Sequence, residues 1–151
     1  MKTGTYKKFM IMLIISFFIM YSVMFFNVEK FDHIFLSTTR LYMSLLMVTP
    51  MALLMLILMR KMYPDKKINT IIILSSLLVF VLSLTFLRTQ TPIGDKQYMK
   101  AMIPHHSSAI LTSKHANIKD PEVKELSQKI IKSQEEEIAQ MKAILERMDK
   151  E

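Results

Sequence analysis

The sequence predicts an all-α membrane protein, with three transmembrane helices followed by an antiparallel helical hairpin outside the membrane. Three long uncharged apolar runs precede Arg88, and a charged region with mixed composition follows it. Residues 1–87 carry nine Lys/Arg and three Asp/Glu, whereas residues 88–151 carry eleven and ten. The positive excess therefore flanks the apolar runs and reflects membrane topology. The near-neutral C-terminal region argues against nucleic-acid binding.

The three apolar runs define a predicted transmembrane anchor over residues 1–88. They cover about residues 9–26, 41–59 and 68–87, and each is long enough as a helix to cross roughly 30 Å of hydrocarbon. Lysines precede the first run as in a signal peptide, but no small-residue cleavage site follows it, so we expect an uncleaved span. Pro50 falls inside the second span, where neighbouring helices can accommodate the kink.

The distribution of basic residues predicts the orientation of the anchor. Basic residues concentrate before the first span and between the second and third. The loop between the first two spans holds only Lys30 and Arg40, offset by Glu29 and Asp32. By the positive-inside rule, the N-terminus is cytoplasmic and the chain after the third span faces outward. In a bacterium, the cell (inner) membrane would hold the anchor and the C-terminal domain would be periplasmic or extracellular.

The outward region is predicted to be two antiparallel helices over residues 95–151. Residues 89–94 contain Pro and Gly and form a linker. The first helix is expected from Asp95 to about Ala116. Asp120 is a suitable N-cap and Pro121 a suitable first residue for a second helix that reaches about Met148. The short connection makes the two helices antiparallel neighbours.

Polar residues interrupt the apolar faces of both predicted helices at the same height. If the hairpin closes near Lys119, Gln134 and Glu137 lie level with the stretch from Met102 to His106, and Met141 lies level with Met99. Buried polar groups without partners are costly, so this coincidence indicates a hydrogen-bonded network or a metal site. Two helices alone bury little core, and we therefore expect a homo-oligomer, most simply a dimer, that completes a four-helix bundle.

The metal hypothesis rests on the run Met-Ile-Pro-His-His at residues 102–106. Met102, His105 and His106 offer a thioether and two imidazoles, and Met141 adds a second thioether from the following helix. The chain contains no cysteine, and imidazole with thioether favours copper(I) over zinc or calcium. His115 projects away from this face, and neither it nor His33 in the short outer loop is expected to have a role.

These residues also carry a resemblance to a known family. The stretch from Asp95 to Leu145 resembles the domain of unknown function 305 family in its Met-Ile-Pro-His-His run, its Ala109-Ile110 pair and the segment Glu137-Ile138-Ala139-Gln140-Met141. The resemblance implies a ferritin-like helical fold and, as in some members, copper binding in the bacterial periplasm. It implies that the metal ligands are Met102, His105, His106 and Met141, with Met99 or Glu137 assisting.

The sequence therefore favours a membrane-anchored, extracytoplasmic protein that captures, buffers or delivers copper(I) in copper homeostasis or resistance, and that is not an enzyme. One alternative is a structural or regulatory membrane protein without a metal. Another is a ferritin-like dimetal enzyme, which is disfavoured because the chain lacks the Glu-x-x-His motif of such centres. A stripe of methionines in the second span is interpreted as a packing face, with a copper path as its alternative; its members are Met43, Met47, Met51, Met55 and Met59.

Overall fold

A computed structural model describes residues 2–150 of the chain, without the side chains of Lys2 and Thr3. The prediction of an all-α protein is confirmed, because the described residues form five α-helices and one 3-10 turn and no strand. In chain order the helices are α1 (Lys2–Val23), α2 (Thr38–Leu58), α3 (Lys66–Thr89), α4 (Asp95–His115) and α5 (Pro121–Met148), and the turn is Phe31–His33.

The first three helices confirm the predicted membrane spans. Within the described residues, three helices are long and apolar enough to cross a membrane: Gly4–Val23, Thr38–Leu58 and Lys66–Thr89. The first helix begins earlier and ends earlier than its apolar run, because Lys7 and Lys8 are good helix formers that extend it toward the N-terminus. Asp65 caps α3 by accepting hydrogen bonds from the amides of Lys67 and Ile68.

The chain divides into two compact units. The membrane unit contains the residues up to Val23 together with Thr39–Pro92, and the hairpin unit contains Met24–Thr38 together with the residues from Ile93 onward. The core of the membrane unit consists of Tyr6, Phe9, Ala52, Leu56 and Tyr63. At its edge, the Tyr6 hydroxyl donates to Asn69 Oδ1 at 2.8 Å and accepts from the amide of Asp65 at 3.1 Å.

The hairpin unit is built on α4 and α5, whose bounds agree closely with the prediction. The predicted N-cap of α5 is confirmed, since the Asp120 carboxylate accepts from the amides of Glu122 and Val123 at 2.9 and 3.0 Å. Apolar residues three, four or seven positions apart on each helix meet in one core. The buried members are Met99, Ile103, Ile110, Ile138 and Leu145.

The connection between α1 and α2 also packs on this hairpin. Phe35 contacts the hairpin core, and the amide of Thr38 donates to Gln97 Oε1 at 3.1 Å. The segment that follows the first span therefore covers part of the surface that two helices leave open. Sequence reasoning had treated this connection only as a short outer loop of the anchor.

Candidate metal site

Helix α4 distributes the Met-Ile-Pro-His-His run between the core and the surface. Ile103 and Pro104 are buried, Met102 and His106 are partly exposed, and His105 is exposed. A helix turns by about 100° per residue, so Met102 and His106, four residues apart, share one face beside the core. The fold thus presents one thioether and one imidazole on the same flank of α4.

His106 meets Glu137 of α5 at this flank. His106 Nδ1 lies 3.2 Å from Glu137 Oε2, but the approach lies off the hydrogen-bonding direction, and within residues 2–150 this buried nitrogen has no hydrogen-bond partner. The Glu137 carboxylate accepts from Ser133 Oγ at 2.9 Å and from Gln134 Nε2 at 3.4 Å. The His106 nitrogen therefore lies beside a carboxylate that other hydrogen bonds hold in place, but the nitrogen itself forms no hydrogen bond with it.

The environment keeps the His106 imidazole in its neutral form. Burial lowers the pKa of His106 below its ordinary value of 6.5, and the neighbouring His105 lowers it further, while the Glu137 carboxylate acts in the opposite direction. A neutral imidazole is the form that binds a metal ion. In this neutral form one ring nitrogen carries a proton and the other carries a lone pair.

His105 is the neighbouring residue on α4, and its side chain is exposed, unlike that of His106. The two histidine rings have centroids 6.1 Å apart and are tilted by 59°. Two imidazoles that share one ion, each with its nitrogen about 2.0 Å away, hold their centroids within about 6 Å of one another. The observed separation of 6.1 Å lies close to that limit.

The His106–Glu137 contact fixes which methionines face each other. Met102 lies four residues before His106 on α4, and Met141 lies four residues after Glu137 on α5. Because the helices are antiparallel, these equal steps in opposite directions bring Met102 level with Met141. The predicted pairing of Glu137 with the stretch from Met102 to His106 is confirmed.

Met141, predicted to lie level with Met99, packs against the core cluster that contains Met99. The register inferred from His106 and Glu137 places it about one turn away, level with Met102. Five residues, 116–120, connect the helices instead of the three or four expected. Met99 is 6% exposed and belongs to the hairpin core. Met141 packs against the edge of that core while remaining partly exposed. Of the six candidate ligands, Met99 is thus the one that the fold turns into the core.

Carboxylates and imidazoles alone do not form a complete metal site. Within the described part of the chain, no group of three or more His, Asp or Glu side chains is placed to hold a metal ion. His106 and Glu137 supply one nitrogen and one carboxylate, and His105 lies beside them. These side chains alone therefore do not supply the three donors that a metal site of this kind would need.

A second buried histidine, His33, could not be identified as structurally important from the sequence. His33 is buried, and its Nδ1 shares a hydrogen bond of 2.9 Å with Ser107 Oγ, which also accepts from the amide of Glu29 at 2.7 Å. Burial lowers the pKa of His33, the charge of Lys142 lowers it further, and Asp32 opposes both effects. No local pattern in the sequence could have revealed this contact, because its partners lie 74 residues apart.

Ion pairs surround His33. A cleft of about 370 Å³ lies beside it, between the connecting segment and α5. Lys114 contacts Glu29 at 3.0 Å and Glu135 at 3.3 Å, and Lys142 pairs with Asp32. Each carboxylate in these contacts has a lysine partner. These groups bind the connecting segment to the hairpin.

The fold and the site together define the class of this protein as a helical membrane protein with three apolar spans and a polar helical hairpin. Residues 83–150 match the family described as "Domain of unknown function (DUF305)". The chain is also 43% identical over 107 residues to an uncharacterized protein of Acanthamoeba polyphaga mimivirus, covering 70% of this chain and 68% of that protein. The chain belongs to the DUF305 family, as its motifs predicted. No solved structure matches it.

Proposed function

We propose that this protein is a membrane-anchored copper(I)-binding protein that captures, buffers or delivers the ion on the outer side of the membrane. The observation that carries the proposal is the register of the hairpin, in which the His106–Glu137 contact brings Met102 level with Met141. In this register, the imidazole of His106 and the thioethers of Met102 and Met141 would be close enough to act as one ligand set. The chain has no cysteine that could supply sulfur instead. Soft thioether ligands with imidazole suit copper(I).

The proposed ligands are His105, His106, Met102 and Met141. The unsatisfied Nδ1 of His106 supports this assignment, because a buried nitrogen without a hydrogen bond is costly unless a ligand satisfies it. If Nδ1 binds the ion, Glu137 beside it would be an additional ligand. If Nδ1 instead carries the proton and faces Glu137, the carboxylate would orient the ring and Nε2 would bind the ion. Copper(I) is the cargo of this site, and we propose no reaction on it.

We propose that the anchor lies in a bacterial cell membrane, with the N-terminus cytoplasmic and the hairpin unit on the outer side. The concentration of basic residues before α1 and between α2 and α3 supports this orientation. We further propose that two copies associate through their hairpins. The partly exposed flank that holds Met102, His106 and Met141 supports this, because a second copy would shield the site from water.

A competition titration with a copper(I) chelator on the detergent-purified protein tests the proposal. We expect His105→Ala/His106→Ala to weaken copper(I) binding by more than about a hundredfold. Loss of a group that only hydrogen-bonds to a metal ligand costs about 10–100-fold in affinity, and loss of the ligands themselves should cost more. His115→Ala is the matched control, since His115 is exposed and its Nδ1 lies 2.9 Å from the carbonyl of Leu111. Circular dichroism verifies that each variant remains helical.

Two methionine variants, Met102→Leu and Met99→Leu, distinguish a proposed ligand from a core residue. Leucine has nearly the same volume as methionine and lacks sulfur, so the exchange preserves packing. Met102→Leu should weaken copper(I) binding, whereas Met99→Leu should leave it unchanged because Met99 is buried in the core. Unaltered affinity in the double histidine variant, or equal losses in the two methionine variants, would refute the proposed site. Complete absence of binding would favour a structural role without a metal.

A further inference from the structure

The segment that connects α1 to α2 has two chemically different sides. Its polar residues bond to the hairpin: Asn27 to Ser108, Glu29 to Lys114, and Asp32 to Lys142. The buried His33 bonds to Ser107 on the same side. Because these polar side chains contact the hairpin, they do not cover the apolar side chains of the segment.

Large apolar side chains occupy the other side of the segment. Phe31 is 91% exposed, Phe26 is 80% exposed and Leu36 is 67% exposed. A groove of about 420 Å³ in the same segment is lined mostly by apolar residues and by one carboxylate: Phe25, Phe26, Val28, Glu29, Phe31 and Ile34. Exposed apolar surface of this kind marks a site of interaction with a protein or a membrane.

The covalent chain places this apolar surface near the hydrocarbon boundary. Phe26 follows the end of the first span at Val23 by three residues, and Leu36 precedes the start of the second span at Thr38 by two. An extended chain advances at most about 3.6 Å per residue, so these side chains start within roughly 11 Å of a span end. Phe31 lies midway along the segment and is tethered from both directions.

The charges of the segment are compatible with a lipid surface. Lysines of the hairpin pair with Glu29 and Asp32 and so offset their repulsion from lipid phosphates. Lys30 is exposed and directly precedes Phe31, so its ammonium would be attracted to lipid phosphate, and it also lines the cleft beside α5. A membrane therefore fits this surface electrostatically as well as through its apolar residues.

We propose that Phe26, Phe31 and Leu36 insert into the interfacial layer of the bilayer, so that the connecting segment is a membrane-docking surface for the hairpin unit. Apolar faces of peripheral segments enter the boundary between headgroups and acyl chains in this way. The inference is independent of copper binding, because it depends only on the exposed residues of the segment and on the distance along the chain to the spans.

Fluorescence of a single introduced tryptophan tests this proposal, since the chain has no tryptophan of its own. The full-length Phe31→Trp protein is reconstituted in phosphatidylcholine vesicles with or without bromine-labelled acyl chains. We expect the brominated lipid to remove about half or more of its emission, because the indole lies at the acyl boundary. Phe26→Trp provides a second reporter on the same surface.

Leu126→Trp is the matched control, because Leu126 is also an exposed apolar residue but lies on α5. We expect aqueous iodide to quench Leu126→Trp more strongly than Phe31→Trp. The proposal is overturned if iodide quenches both proteins equally and brominated lipid leaves Phe31→Trp unchanged. Protection of Phe31→Trp from iodide without quenching by brominated lipid would also overturn it, and would indicate that a second protein copy covers the surface.

Discussion

At the scale of single residues, two histidines are kept neutral by different surroundings. His106 sits beside Glu137 without a hydrogen bond on Nδ1, whereas His33 is bonded to Ser107. Burial is the main cause of the lowered pKa of both. The two side chains thus differ in hydrogen bonding, because the His33 nitrogen is bonded to Ser107 whereas the buried His106 Nδ1 has no hydrogen-bond partner among the described residues.

The lowered pKa values predict acid sensitivity of the protein without copper. A histidine whose pKa is depressed in the folded state contributes stability above its ordinary pKa, and this stability is lost as the pH falls through the folded value. The thermal midpoint of the hairpin, followed by circular dichroism, should therefore fall as the pH decreases below the ordinary histidine value of 6.5.

Replacement of the titrating groups tests the cause of this decrease. His33→Gln/His106→Gln should flatten the dependence of the midpoint on pH, because glutamine does not titrate. His115→Gln should retain the full dependence, since His115 is exposed. An equally steep decrease in the double variant would show that other groups are responsible.

At the scale of elements, the helices were predictable and the packing of the connecting segment was not. Long uncharged runs identified α1 to α3, and the pair Asp120-Pro121 marked the start of α5, because these signals are local. The segment between α1 and α2 has no periodic pattern, and its contacts with α4 span more than 70 residues. Only the folded structure brings those partners together.

The same locality explains how much of the candidate site was foreseen. The spacing along each helix predicts that Met102 shares a face with His106, and that Glu137 shares a face with Met141, because residues four apart lie on the same face of a helix. The match between the two helices depended on the length of their connection, which differed from expectation by one or two residues. The contact between His106 and Glu137 therefore had to come from the structure before Met102 and Met141 could be placed level with each other.

Ser107 provides a test of the packing between the connecting segment and the hairpin. Its fully buried hydroxyl bonds to His33 Nδ1 and to the Glu29 amide. Ser107→Ala leaves these groups without that partner, which should cost about 1–3 kcal/mol. Trypsin cleavage at the exposed Lys30, measured on the folded protein in detergent, should become roughly tenfold faster for each 1.4 kcal/mol lost.

The neighbouring serine is the control for this experiment. Ser108 Oγ accepts a hydrogen bond from Asn27 at 2.8 Å, but this contact is exposed to water. Ser108→Ala should therefore change the cleavage rate little, because water replaces the lost bond. Equal rates of cleavage in the two variants would argue that the buried hydroxyl does not hold the segment.

At the scale of the whole molecule, the chain joins an apolar anchor to a polar hairpin unit that carries the proposed copper site. The connecting segment belongs structurally to the hairpin unit although it lies between two spans in sequence. The spans thus do more than tether a domain to one end of the chain, since the loop between the first two of them completes the packing of that domain. An isolated fragment of residues 95–151 would lack this contribution.

Access of copper from outside the cell tests the account most directly. Right-side-out and inside-out membrane vesicles are loaded with copper(I) and then exposed to a copper(I) chelator that does not cross membranes. The account predicts that right-side-out vesicles yield protein-bound copper without detergent, that inside-out vesicles yield it only after detergent, and that His105→Ala/His106→Ala vesicles hold background copper alone. Release from right-side-out vesicles only after detergent, or equal copper in the variant, would contradict an outward-facing site formed by these histidines.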